Sequence, residues 1–146
     1  MTGIFGIGVL IQTEINLVLQ VLMLIIIVIG LFYKSKRKFK IHGGLMGSAV
    51  ILHLISLFAV MLPSFNNNYE YFITAISELG VQTIWIHAVP GAIALMLGIV
   101  LVAAWALHPS NIAVCSKLKR IMDITTMLWL ISLMFGIAAY VVFYVQ

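Results

Sequence analysis

The chain has 146 residues, of which 64% are hydrophobic and 8% charged, and its formal net charge is +4. A soluble domain of this length needs far more charged surface, so the composition excludes a water-soluble globular protein. The length indicates one ordinary domain, and the single cysteine, Cys115, excludes a disulfide within the chain.

Four long apolar blocks predict an all-α membrane protein, with a single four-transmembrane-helix bundle over residues 1–146. The predicted spans cover about residues 10–33, 42–62, 85–107 and 121–144. Pro63 is expected to end the second span, and a short interfacial helix is expected over about residues 69–79. Pro90 is expected in the first turns of the third span, where its missing N–H costs least.

The basic residues predict the orientation of the bundle. All eight lie in two loops on the same side, namely Lys34, Lys36, Arg37, Lys38, Lys40, Lys117, Lys119 and Arg120. The positive-inside rule places these loops in the cytoplasm and both termini outside, in the cell (plasma) membrane. The Lys34–Lys40 stretch is expected to contact anionic lipid head groups. The charge pattern lacks the interleaved aromatic residues of a nucleic-acid surface, so no nucleic-acid partner is expected.

Small residues at helical spacing predict close contacts between the spans. Such residues let two helix backbones approach each other in a membrane. The residues assigned to helix packing are Gly43, Gly47, Gly91, Gly98, Ser132 and Gly136.

The histidines are the strongest candidates for a cofactor site. His53 lies near the middle of the second span, where an ionisable residue is a functional hypothesis by default. Histidines on two helices can ligate haem b, and histidine with methionine can ligate copper, so both cofactors are candidates and no metal is assigned. The alternative for His53 is a neutral ring that hydrogen-bonds across the bundle to Gln20, Thr126 or Ser132.

Depth in the membrane decides which histidines can share a haem. His42 and His108 both lie at the inner boundary, although ordinary interfacial positions also account for them. His87 is expected about 15 Å further out than His53, from the helical rise per residue, so this pair is poorly matched. An interfacial position also accounts for His87. Glu14 is interpreted as a hydrated carboxylate near the outer boundary.

Three stretches carry a family resemblance: KIHGGLMGSAV (40–50), HAVPGAIALMLGIVLVAAWAL (87–107) and KLKRIMDITTMLWLISLMFGIAAYVVFY (117–144). Together they resemble a family of small four-helix bacterial and archaeal membrane proteins, most of which lack an assigned function. Some Gram-positive members are linked to assembly or maturation of the haem-copper cytochrome oxidase. The matching positions are Lys40, His42, Met46, Ala49, His87, Gly91, Gly98, Thr125, Trp129, Gly136 and Tyr140. The family's histidine at the start of the fourth span falls at Leu118, so a site carried over from the family lacks one ligand.

Three functions follow from these patterns. The resemblance and the lack of a phosphate loop, nucleophile–base motif or carboxylate pair favour a non-catalytic accessory or assembly subunit of a metal-dependent, respiratory membrane enzyme. The other membrane subunits of that complex are then the partners. The first alternative is a haem b-binding electron carrier that uses His53 with His87, or His42 with His108. The second alternative is a transporter or channel subunit, which is disfavoured because no polar stripe, broken helix or inverted repeat is seen.

Overall fold

The computed structural model describes residues 11–108 and 116–144. Within these ranges, four helical segments are long and apolar enough to cross a membrane: Ile11–Ser35, Phe39–Asn67, Leu79–Leu107 and Lys119–Tyr144. The prediction of an all-helical chain with four helices long and apolar enough to span a membrane is therefore confirmed for the part of the chain that the structure describes. The orientation of the termini stays a prediction from the charge pattern.

The helices are numbered here in chain order. The first span is α1 (Ile11–Ser35), and the second consists of α2 (Phe39–Ser56), a π-helical segment (Leu57–Met61) and α3 (Leu62–Asn67). The short helix α4 (Tyr69–Thr74) follows. The third and fourth spans are α5 (Leu79–Leu107) and α6 (Lys119–Tyr144).

The second span is longer than predicted. Pro63 does not end it, because the helix continues through Pro63 to Asn67. The π-helical segment just before the proline changes the backbone pattern, so that the N–H of Leu62 bonds to the carbonyl of Leu57, five residues back. Such a change accommodates a residue that has no N–H of its own.

The third span also begins earlier than predicted, at Leu79 rather than near residue 85. Its first turn is held by packing, since Val81 is fully buried and Gly80 lies against the ring of Phe143. Pro90 therefore lies in the interior of α5 and not in its first turns. The interfacial helix is correspondingly shorter than expected, covering only Tyr69–Thr74.

The four spans form a closed square in which each packs on its neighbours in sequence. Helix α1 contacts α2 and α6, and α5 contacts α2 and α6. This is the arrangement that short loops impose on an up-and-down bundle. At mid-height an apolar layer fills the centre, made of Met23, Ile27, Ala49, Val50, Ala94, Leu95, Trp129 and Leu133.

Most glycines assigned to helix packing lie where a side chain has no room. A Cβ on Gly43 would overlap the indole of Trp105, and one on Gly98 would lie 3.3 Å from Val50. Gly47 differs, because its Cβ would make only an ordinary contact of 3.6 Å with Val102. We therefore find close approach at Gly43 and Gly98, but no steric need for glycine at position 47.

An ion pair ties two spans together at the basic end, which is the end of the bundle that carries residues 34–40 and 117–120. The ammonium of Lys34 lies 2.5 Å from the carboxylate of Asp123. Lys119 lies one helical turn before Asp123 on the same helix, at a spacing that allows an ion pair. The structure instead pairs Asp123 with Lys34, because the end of α1 reaches the start of α6 in the closed bundle.

Candidate functional site: a cavity between the four spans

A cavity of about 610 Å³ occupies the half of the bundle that lies away from the basic end. All four spans and α4 contribute to its wall. Its volume falls within the range of about 300–1,000 Å³ that is usual for sites of drug-sized ligands. The cavity is therefore the candidate functional site.

The wall is mainly apolar, and ten polar side chains also line it. The π-helical segment contributes Leu57, Val60 and Met61. Single π-turns inside α-helices are frequent at functional sites, because they shift which side chains face inward. The polar side chains on the wall are Thr13, Asn16, Gln20, His53, Ser64, Asn68, Tyr71, His87, Tyr140 and Tyr144.

His53 contributes a hydrogen-bond donor to this cavity. Its ring is 5% exposed, and its Nδ1 accepts a hydrogen bond of 3.0 Å from the indole Nε1 of Trp129. A neutral ring whose Nδ1 accepts must carry its proton on Nε2. The expected bond across the bundle exists, but the partner is Trp129 and none of the three predicted residues, because Trp129 brings a strong donor to the level of His53.

His87 offers a hydrogen-bond acceptor to the cavity, whereas His53 offers a donor. Its Nδ1 lies 2.8 Å from the backbone carbonyl of Ser132, and the Oγ of Ser132 donates to the carbonyl of His87 at 2.8 Å. A carbonyl oxygen can only accept, so the proton of His87 is on Nδ1. The lone pair of Nε2 is then available to a ligand.

The two histidines lie at a common site, contrary to the predicted offset of about 15 Å. Both line the cavity. A Cβ on Gly91 would lie 2.6 Å from Oγ of Ser132, the partner of His87, and 3.9 Å from Cε1 of His53. The offset was wrong because α5 begins six residues earlier than expected, which moves His87 about 9 Å deeper. The interfacial interpretation of His87 stays a prediction.

Two further polar atoms beside the histidines have unmet hydrogen-bonding capacity. Oε1 of Gln20 and the hydroxyl of Tyr140 are buried and have no hydrogen-bond partner among the described residues. Gln20 is only 4% exposed. A Cβ on Gly136 would overlap Oε1 of Gln20 and lie 2.7 Å from Nδ1 of His87, so Gly136 keeps the space between them open. An unsatisfied buried acceptor costs about 1–3 kcal/mol, which a bound ligand would offset.

The bundle also buries polar side chains at the end that lies away from the basic end. Glu14 is fully buried in the bundle, so its interpretation as a hydrated carboxylate is wrong. Ser56 donates a short hydrogen bond to Asn16 nearby. Buried polar residues occur on all four spans, and the apolar layer separates those near His42 from those near His53. The buried polar residues are Glu14, Gln20, His42, His53, Ser56, Thr83, Thr125 and Ser132.

His42 and His108 lie at the basic end, beside a much smaller pocket of about 60 Å³. His42 is 6% exposed, and its Nδ1 lies 2.9 Å from the carbonyl of Gly30. His108 is exposed. The pocket has room for a few water molecules only, so the pair does not enclose a haem.

A haem b held by His53 and His87 does not fit the hydrogen bonds of this site. Axial ligation needs the lone pair of a ring nitrogen, and the histidine usually donates its other N–H to a carbonyl or carboxylate. His87 meets this requirement through Ser132, but His53 presents Nε2–H to the cavity. As to metals, no group of three or more His, Cys, Asp or Glu side chains comes together within residues 11–108 and 116–144.

The fold and this cavity define a class, namely four-span membrane bundles with a ligand-sized cavity in one half. Comparison of the chain with protein-family models, curated proteins and solved structures found no match. The resemblance to the small oxidase-linked membrane proteins stays a hypothesis. The geometry of the cavity is therefore the stronger guide to function.

Proposed function

We propose that the chain is a non-catalytic accessory or assembly subunit of a metal-dependent, respiratory membrane enzyme, and that it holds a hydrophobic ligand with a polar head in its cavity. One observation carries the binding role: a cavity of about 610 Å³ in which His53 and His87 offer opposite hydrogen-bonding polarities. The apolar wall suits a ligand taken from the membrane, and the few polar groups suit orientation of its head.

The local chemistry of His87 and Ser132 supports binding rather than catalysis. A serine beside a histidine suggests a nucleophile and its base, which requires the hydroxyl to donate to a ring lone pair. Here the hydroxyl of Ser132 donates to the carbonyl of His87, and the ring's Nδ1 is itself a donor. These two hydrogen bonds therefore fix the orientation of the His87 ring and do not activate the Ser132 hydroxyl as a nucleophile.

The apolar layer supports binding rather than transport. His53 and Ser132 lie on one side of this layer, while His42 and Thr125 lie towards the basic end. The indole of Trp129 fills the space between them and is 2% exposed. A polar site closed on one side by a packed layer suits a ligand that enters and leaves by the same route.

The binding role is tested by extracting small molecules from the purified chain. We expect about one hydrophobic ligand per chain when the protein is purified in mild detergent and its organic extract is quantified by mass spectrometry. Gly136→Leu fills the space beside Gln20 and His87 and should abolish the ligand. Gly44→Leu is the matched control, because a Cβ there meets nothing within 4 Å. Equal ligand content in both variants would contradict the binding role.

The accessory role is tested in the source cell. Deleting the gene should reduce the amount of assembled haem-copper oxidase, measured by its reduced-minus-oxidised spectrum, without reducing unrelated membrane enzymes. The wild-type gene and the Gly44→Leu variant should restore it, whereas Gly136→Leu should not. Normal oxidase content in the deletion strain would remove the proposed link to this enzyme.

A second candidate function is haem b binding through one axial histidine. It is favoured by the bond from His87 Nδ1 to the Ser132 carbonyl, which is the usual support of a ligating histidine. His87→Ala should then abolish a Soret band, whereas His53→Ala should retain it. A colourless wild-type chain from haem-replete cells excludes this candidate.

A further inference from the structure

We propose that the cavity binds the reduced form of a lipid-soluble quinone, that is, a quinol with two hydroxyl groups on an aromatic ring. This deepens the proposed binding function and rests on it. The polar site offers one donor and two acceptors that a ligand can satisfy, namely His53, His87 and Gln20.

The two histidine rings together can bind one hydroxyl group of a ligand. His53 presents Nε2–H as a donor, and His87 presents the Nε2 lone pair as an acceptor. Both rings lie near Ser132: a Cβ on Gly91 would lie 2.6 Å from Oγ of Ser132 and 3.9 Å from Cε1 of His53, and the same Oγ lies 3.2 Å from Nδ1 of His87. A ligand hydroxyl donates one hydrogen bond and accepts another, so it satisfies both rings at once. A carbonyl or an ether oxygen can only accept and leaves His87 unsatisfied.

Gln20 adds a second acceptor. Its buried Oε1 has no partner among the described residues and lies near His87, because a Cβ on Gly136 would overlap this oxygen and lie 2.7 Å from Nδ1 of His87. A ligand that satisfies both His87 and Gln20 needs two donors. A quinol carries two O–H groups at opposite ends of a rigid ring, whereas the oxidised quinone carries none. The unpartnered hydroxyl of Tyr140 lies on the same wall and can donate to, or accept from, the second ligand hydroxyl.

Aromatic side chains line part of the cavity. Phe65 and Phe72 stack with their ring centroids 5.8 Å apart and their planes 13° apart, and Tyr140 lies 5.3 Å from Tyr144. Such rings favour a flat aromatic ligand over an aliphatic one. Met96 lines the cavity and is also 61% exposed on the outer face of α5, so an apolar tail has a lateral route into the bilayer.

The test compares three probes on the wild-type chain in lipid nanodiscs under anaerobic, reducing or oxidising conditions. The probes are decylubiquinol, decylubiquinone and the dimethyl ether of decylubiquinol, with binding followed by tryptophan fluorescence and calorimetry. We expect the quinol to bind at least tenfold more tightly than the other two, because only it offers O–H donors. Gln20→Met should reduce this preference about tenfold, whereas Gln82→Met, at an exposed position on α5, should leave it unchanged.

Each other outcome has a definite meaning. Equal binding of all three probes overturns the quinol proposal and leaves a general binding role for the cavity. If no probe binds while the extract of the wild-type chain still contains a ligand that Gly136→Leu lacks, the quinol proposal fails and the proposed function stands. If no probe binds and the extracts of the two glycine variants do not differ, both fail. The three-probe comparison needs no variant, so misfolding of Gln20→Met does not weaken it.

Discussion

The indole of Trp129 donates a hydrogen bond of 3.0 Å to Nδ1 of His53, and the two rings lie 5.8 Å apart between α6 and the second span. This bond determines where the His53 proton lies, and so which group His53 presents to the cavity. The same bond makes His53 unsuitable as a haem ligand. The bond between Trp129 and His53 thus favours His53 as a hydrogen-bond donor to a ligand over His53 as a haem ligand.

The first prediction concerns this bond. Trp129→Phe leaves Nδ1 of His53 without its donor, which should lower the free energy of unfolding by about 1–3 kcal/mol beyond the loss of ring volume. Trp105→Phe is the matched control, because the Trp105 N–H is buried without a hydrogen-bond partner among the described residues. Unfolding of both variants in mixed micelles measures the difference. Equal losses of stability would show that the Trp129 bond contributes little.

The second prediction separates two glycines on α2 that share the same sequence pattern. Gly43→Ala places a methyl group within the indole of Trp105, so overpacking should cost about 1–3 kcal/mol. Gly47→Ala has room and should stabilise the helix by about 0.5–1 kcal/mol through helix propensity. Thermal unfolding in detergent measures both. A tolerated Gly43→Ala would show that Trp105 moves aside easily.

The third prediction concerns the ion pair at the basic end. The side chain of Asp123 is 50% exposed, so its pair with Lys34 should contribute less than about 1 kcal/mol and weaken as salt is added. A double-mutant cycle of Lys34→Met with Asp123→Asn should show this coupling. The same cycle with Lys119→Met in place of Lys34→Met should show almost no coupling. Strong coupling to Lys119 and none to Lys34 would instead make Lys119 the partner of Asp123.

The fourth prediction concerns pH at the loop between the second and third spans. The hydroxyl of Tyr71 donates to the Glu78 carboxylate at 2.6 Å, and this bond raises the pKa of Tyr71 above its ordinary value. Because the folded pKa is raised, the bond's contribution to stability is complete below the ordinary tyrosine pKa of about 10. It is lost as the pH rises through the higher folded pKa.

Ultraviolet titration of tyrosine ionisation tests the Tyr71 prediction. Glu78→Gln should move the titration of Tyr71 back towards the ordinary pKa, and Tyr71→Phe identifies its share of the signal. Glu70→Gln is the control, because its carboxylate lies on the same short segment and does not bond to Tyr71 in this structure. An unchanged titration in Glu78→Gln would exclude the bond as the cause.

The sequence contained little information on how the site is assembled. His53 and Trp129 lie 76 residues apart, and no local pattern joins residues at that separation. The mid-span position of Trp129 was the one available signal, since a buried indole usually finds a hydrogen-bond acceptor. The predicted offset between His53 and His87 is wrong because the third span is predicted to begin near residue 85, whereas packing of Gly80 and Val81 lets α5 begin at Leu79.

The sequence by itself determined that this chain has four helices long and apolar enough to span a membrane, because apolar blocks of about 20 residues match the thickness of a bilayer. It also determined that the basic residues gather in two short stretches. Only the tertiary structure decided the extent of the second and third spans, the burial of Glu14, and the meeting of His53, His87 and Gln20 around one cavity. The physical reason is that span length depends on local hydrophobicity, whereas hydrogen-bond partners and cavities depend on how the helices are rotated and packed against one another.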